Sequence, residues 1–209
     1  MATSISGSTG VTYPAGGVDN VAGAGVGTTD TQTLTNKTLT SPTITGAAVS
    51  SMASSVITSG TAVASTSGTS IDFTSIPSWV KRITVMFNNV STTGSSALLL
   101  QIGAGSFTTT GYNNASTGFG TSTLGTTNYS AGFGLEDTGS ATNTRYGAVT
   151  LNLFGSNTWT INGGIWRFNL NPTLTVGGIA LGGTLDRVRI TTVNGTDTFD
   201  LGSINILYE

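Results

Sequence analysis

Apolar and polar positions follow two different patterns along this chain, and the change falls near residue 61. Ahead of it, isolated Val, Leu and Ile are set in Gly, Ala, Ser and Thr. Within residues 30–46, Leu34, Leu39 and Ile44 stand five apart. That spacing fits neither a helix face at period 3.6 nor a strand face at period 2. Pro42 would interrupt a helix and has no N–H to give to a central sheet ladder. The run has no means of burying its own apolar residues, so it reads as an extended segment that takes a partner. Residues 1–60 as a whole form a low-complexity arm. Its composition cannot offset the backbone entropy of ordering, about 1–2 kcal/mol per residue, without a second surface.

From residue 61 to 209 short β-type runs alternate with Gly, Asn, Ser and Asp breakers. Ile71-Asp72-Phe73 predicts a brief strand closed by Pro77. Val80–Val90 puts Ile83, Val85 and Phe87 on one face and Arg82 and Thr84 on the other. Ala97–Ile102 is continuously apolar, as in a strand covered on both sides. Further strands are expected at Tyr129–Leu135 and Ala148–Phe154. Trp159–Ile161 and Ile165–Phe168 flank Asn162-Gly163-Gly164, a turn signal. Leu185–Val193 and Phe199–Tyr208 are expected to pair around Asn194-Gly195. No ten-residue stretch carries a helical pattern. Eight to ten strands in this length predict an all-β domain, a β-sandwich or jelly roll.

Composition strengthens that picture. Thr is about a fifth of the chain and Gly numbers 30, supplying β-branched strand residues and turns respectively. Charged residues are only 8%, against about 25% in ordinary globular proteins. A net charge of −2 and scattered basic residues argue against nucleic-acid binding, which needs clustered Lys and Arg. No run of about 18 apolar residues is present to span a membrane. Residues 1–29 lack the basic start and continuous apolar stretch of a secretory leader.

Candidate chemistry is sparse. With no His and no Cys, the commonest general base, thiol nucleophile and metal ligands are missing. No catalytic residue, metal site or cofactor is therefore assigned. Glu136 and Asp137 are adjacent and would point to opposite faces of a strand, so they are expected in a solvated turn. Asp197 and Asp200 follow the Asn-Gly turn and are assigned to turn chemistry. Gly23, Gly25 and Gly27 lie in the low-complexity arm with no strand or helix to make them a nucleotide loop. Trp79, Trp159, Trp166, Phe87 and Phe154 are expected in the core. Residues 103–128, rich in Gly, Thr and Asn, read as a long loop, which compact domains seldom carry without a use. Tyr112, Asn113, Phe119 and Tyr129 in or beside it are the candidate contacts, for a sugar ring or equally for a neighbouring subunit.

Two sets of motifs are familiar in type. Thr33–Ile44 (TLTNKTLTSPTI) resembles a motif that recurs in tail fibre and related virion proteins of tailed bacteriophages. Gly10–Gly17 (GVTYPAGG) is similar to a V-T-[FY]-P-D-G element of such proteins, with Ala15 where Asp is usual. Ile76–Val85 (IPSWVKRITV) and the ending Asp186–Glu209 resemble a carboxy-terminal domain of phage fibre-like proteins. The likeness leaves the middle of the chain uncovered. It implies a homotrimer on the virion surface, with residues 1–60 attached to another virion protein and residues 61–209 projecting as the distal β domain. Leu34, Leu39, Pro42 and Ile44 are then the attachment and trimer contacts, facing a common axis. A tail fibre or spike that binds a host glycan or protein, and a capsid decoration protein that stabilises the head, both fit. A glycan-degrading tailspike is disfavoured by the sparse carboxylates.

Overall fold

The computed structural model describes residues 57–120, 124–168 and 170–209. The expectations for residues 1–56 of the arm, including Leu34, Leu39, Pro42 and Ile44, lie outside the described residues, while its last residues, 57–60, carry β1 and pair with β14. Within them the chain is all-β, with no helix. The strands are β1 (Thr58–Ser59), β2 (Val63–Ala64), β3 (Ile71–Thr74), β4 (Arg82–Thr92), β5 (Leu98–Ala104), β6 (Ser106–Phe107) and β7 (Asn113–Phe119). They continue with β8 (Leu124–Tyr129), β9 (Phe133–Gly134), β10 (Arg145–Gly155), β11 (Thr158–Arg167), β12 (Thr173–Ala180), β13 (Arg187–Thr192) and β14 (Phe199–Tyr208).

All pairings are antiparallel. A nine-stranded sheet runs β1-β14-β4-β10-β11-β12-β7-β8, with β2 also on β14. A five-stranded sheet runs β3-β13-β5-β6, with β9 also on β5. The two sheets bury one shared core. Ile83, Val85 and Phe87 of β4, Val149 and Leu151 of β10, and Ile204 and Ile206 of β14 meet Ile71 and Phe73 of β3, Leu98, Leu100 and Ile102 of β5, and Val188 and Ile190 of β13. Period-two alternation accounts for most of this, because each strand turns its apolar parity inward. β5 is the exception that the sequence signalled: Leu98, Leu99, Leu100 and Ile102 are all essentially sealed from solvent, so both of its faces are covered.

Several expectations are corrected. Residues 103–128 are not a long loop but carry β6 and the β7–β8 hairpin, which pairs Asn114 with Tyr129 through to Phe119 with Leu124. Thr and Asn fill both faces of this hairpin, so the apolar contrast that announces a strand is missing although Thr favours extended backbone. Asn162-Gly163-Gly164 is the middle of β11. The reversal falls at Ser156-Asn157, whose φ values of 46° and 61° suit a two-residue hairpin turn. The glycines at 163 and 164 serve close packing instead, since a Cβ on either would overlap a neighbouring strand's carbonyl, Ala148 or Thr173. Asn194-Gly195 does turn, with Gly195 at φ 67°, but β13 and β14 do not pair. The turn carries the chain from the small sheet to the large one. Asp197 braces it by accepting from Ser96 N (2.9 Å) and Asn194 Nδ2 (2.6 Å).

Trp159 and Phe87 are core residues, whereas Trp79, Trp166 and Phe154 are exposed. Trp166 lies between Ile165 and Arg167, both inward, so parity turns it out. Glu136 and Asp137 are not in a solvated turn. Glu136 is fully buried and accepts from Arg145 Nε (3.1 Å) and Nη2 (2.9 Å) and from Leu98 N (3.0 Å). Asp137 pairs with buried Arg167 at 2.7 Å. Adjacent acids in a low-charge chain give no hint that Arg145 and Arg167, nine and thirty residues beyond their partners, turn inward to meet them.

Candidate binding cleft

A cleft of about 590 Å³ opens where β7 begins and β8 ends, against β12. Its walls are Asn113, Asn114 and Ala115 of β7, Asn128 and Tyr129 of β8 with Ser130 beyond, and Val176 and Gly177 of β12. These residues come together through register: Ala115 pairs with Asn128 on one side and Val176 on the other. Alternation then gives the two classes of side chain that line the cleft. Asn113, Asn128 and Ser130 are exposed, while Asn114 and Tyr129 point inward and support them.

The supporting residues are fully engaged. Asn114 donates from Nδ2 to the carbonyls of Tyr129 (2.7 Å) and Gly132 (2.9 Å), and its Oδ1 accepts from Gly134 N (2.9 Å). One buried amide thus ties β7, β8 and β9 together, an arrangement in which every polar atom is satisfied. The Tyr129 hydroxyl donates to the Glu136 carbonyl at 2.6 Å, leaving only part of the ring at the surface. Tyr112 lies at the floor with 4% exposure. Its hydroxyl takes the Ile102 N–H (2.8 Å) and sits 3.0 Å from the Thr108 carbonyl.

Of the four candidate contacts named from sequence, Asn113 and Tyr129 line the cleft with surface to offer. Tyr112 reaches it but is a core residue, packed edge-on against Phe133 with ring centroids 4.8 Å apart. Phe119 stands at the far end of β7, away from the cleft, and is 45% exposed. Sequence reasoning missed Asn128, Ser130 and Val176. Asn128 lies in the hairpin read as loop, and Val176 lies in β12, which no sequence pattern had marked.

Burial pushes both phenols up. Tyr112 rises to about 12 because its hydroxyl is desolvated, against a smaller opposing effect of the Ile102 backbone hydrogen bond. Tyr129 rises to about 12 through desolvation, with the Glu136 carboxylate adding to it. The folded chain therefore holds these protons above pH 10, where the unfolded chain releases them. Their contribution to stability is intact below about pH 10 and is lost as pH climbs toward about 12. In an ultraviolet titration, two tyrosines are expected to ionise late and together with unfolding. Ionisation of all tyrosines near pH 10 with the fold intact would contradict this.

Chemically the cleft is neutral. Amides and hydroxyls that both donate and accept line it, beside one aromatic ring and one valine, and no carboxylate, Lys or Arg faces in. Among the described residues no group of three or more His, Cys, Asp or Glu is placed to hold a metal ion. No protein-family model, curated protein or solved structure matches the chain.

Proposed function

We propose that this chain is a structural protein of a tailed-bacteriophage virion. In this reading it is a homotrimer held to a tail or capsid protein by residues 1–60, and its distal β domain meets neutral host-surface glycan. The observation that carries the reading is the place of the neutral cleft in the large sheet. β1 stands at one edge of that sheet, and the cleft lies on β12, β7 and β8 at the other. Seven strand spacings separate β1 from β8, roughly 34 Å along the sheet, so the amide-lined cleft lies at the edge opposite the strand with which the domain begins. A neutral polyhydroxylated ligand suits those groups, and weak sites gain avidity from three copies.

The non-enzymatic part of the reading draws support from the carboxylates nearest the cleft. Glu136 is locked to Arg145 and Asp137 to Arg167, so neither is free to serve as acid or nucleophile in a carboxylate pair. A jelly-roll form of the sandwich is supported by the repeated passage of the chain between sheets, as from β4 to β5, β6 to β7, β9 to β10 and β13 to β14.

Purified chain is expected to compete with particles for adsorption to host cells, and Asn113→Ala with Asn128→Ala is expected to weaken that competition with the unfolding midpoint unchanged. No competition at saturating protein would overturn the host-binding role. Antibody raised against residues 61–209 should label the tail; uniform label over the capsid would make this a head decoration protein instead.

A further inference from the structure

The chain holds two Asn-Gly pairs, Asn162-Gly163 and Asn194-Gly195. Such a pair is chemically labile. The glycine backbone nitrogen attacks the asparagine Cγ, and with no Cβ on the glycine nothing hinders the approach. A new C–N bond closes a succinimide ring, and Nδ2 leaves as ammonia with the proton given up by the glycine nitrogen. Water then reopens the ring to aspartate or isoaspartate. Asn162 lies mid-strand in β11, where Gly163 is paired to both β10 and β12. Asn194 and Gly195 are exposed in the turn between β13 and β14.

The groups that this reaction uses at Asn194 are all engaged. The Gly195 N–H donates to the Thr192 carbonyl at 3.0 Å. Asn194 Nδ2 donates to Asp197 Oδ1 at 2.6 Å. Asn194 Oδ1 accepts from Thr192 Oγ1 (2.8 Å), Thr196 N (3.0 Å) and Asp197 N (3.2 Å). These three donors polarise the Cγ carbonyl, but ring closure removes the hydrogens of the first two bonds, since Gly195 N becomes an imide nitrogen and Nδ2 departs. Closure therefore breaks both bonds, one of them to a carboxylate. The clamp also reaches across the corner of the sandwich. Asp197 Oδ2 accepts from Ser96 N (2.9 Å), and Ser96 Oγ accepts from Asn194 N (3.0 Å). Gly94 lies so close that a Cβ on it would overlap the Asp197 carboxylate. Residues 93–97 carry the chain from β4 to β5 and residues 193–198 from β13 to β14, so these bonds tie together two passages between the sheets.

We infer that Asn194 is a deamidation site that the folded corner holds inert, with Asp197 as its clamp, and that its conversion weakens the corner irreversibly. The product puts a second carboxylate where Nδ2 now meets Asp197, and like charges at hydrogen-bond distance repel. Isoaspartate also lengthens the turn by one backbone atom. The modification thus records each opening of the corner that lasts long enough for chemistry.

Peptide mapping by mass spectrometry, on the full chain incubated at neutral pH folded and in guanidinium chloride, reads both pairs at once. In denaturant both are expected to convert at similar rates. In the folded chain Asn194 is expected to convert at least about 30-fold more slowly, the effect of two hydrogen bonds of which one is to a charged group. Equal rates at Asn194 in the two conditions overturn the inference. Asp197→Ala is expected to speed conversion of Asn194 in the folded chain by about tenfold or more, while Asn162, held by the sheet, stays unchanged. An unchanged rate at Asn194 overturns the role of Asp197. Should Asn162 convert as well, that variant has lost its fold and Asp197→Asn decides in its place: faster conversion of Asn194 alone supports the clamp, and none overturns it. Asn194→Asp stands in for the product and is expected to unfold at lower denaturant than the parent. An equal midpoint overturns the effect on the corner.

Discussion

Replacing Arg145 by Ala is expected to cost the domain about 3–5 kcal/mol, the effect of leaving a buried charge without its partner. Glu136 and Arg145 are both fully buried. The guanidinium holds the carboxylate through Nε and Nη2 and also reaches the carbonyls of Asn143 (3.2 Å) and Ser140 (3.3 Å). The carboxylate in turn takes the Leu98 N–H at the start of β5. The pair therefore joins β10 to the segment between β9 and β10 and to the small sheet. Removing the cation strands a carboxylate inside the protein; Glu136→Gln, which keeps the shape, is expected to be milder. Urea unfolding with an unchanged denaturant slope reads the difference. A loss under about 1 kcal/mol for Arg145→Ala would mean that water reaches Glu136, contrary to the packing described.

Gly118→Val is the second large effect, expected at about 3 kcal/mol or more, because it combines overpacking with disruption of a buried ion pair. Gly118 and Gly125 face each other across the β7–β8 hairpin. The Asp137 carboxylate lies directly against both, where a Cβ on either glycine would overlap its oxygens. The same carboxylate contacts Arg167, itself 1% exposed, and neither Asp137 Oδ1 nor Arg167 Nε completes a hydrogen bond. Arg167 is also bonded to the Thr138 carbonyl and Asn171 Oδ1. A side chain at 118 would push Asp137 off Arg167 and lift the hairpin from the domain. Because the hairpin forms two walls of the cleft, glycan binding should fall with stability. Limited proteolysis of the hairpin in the variant, at a rate equal to that of the parent, would contradict this account.

The strands legible in the sequence are those whose inward residues are apolar. β4, β10, β13 and β14 alternate Val, Ile, Leu and Phe with polar residues, and β5 is a continuous apolar run; each lies where the pattern places it. β8 alternates exposed and half-buried residues with none buried, and β7 and much of β12 bury Asn114, Ser116, Thr173 and Thr175 in place of aliphatics. These are held by hydrogen bonds such as Thr175 Oγ1 to the Gly134 carbonyl at 2.8 Å. Hydrophobic periodicity cannot register a strand whose core face is polar, so β7 and most of β8 read as loop and β12 carries no strand signal. The same blindness applies to the cleft. Asn113 lies in the stretch that reads as loop and Tyr129 at the start of the strand expected beside it, while Asn128 and Val176 need the register. The buried ion pairs depend on contacts between residues distant along the chain, which local pattern does not encode.

The central claim is that the chain works as a self-assembled trimer displaying its β domain. Sedimentation velocity of the full chain across a wide dilution range tests it most directly. The account predicts one species at three times the 21.1 kDa chain mass, persisting on dilution. A stable monomer of 21.1 kDa at every concentration would contradict it.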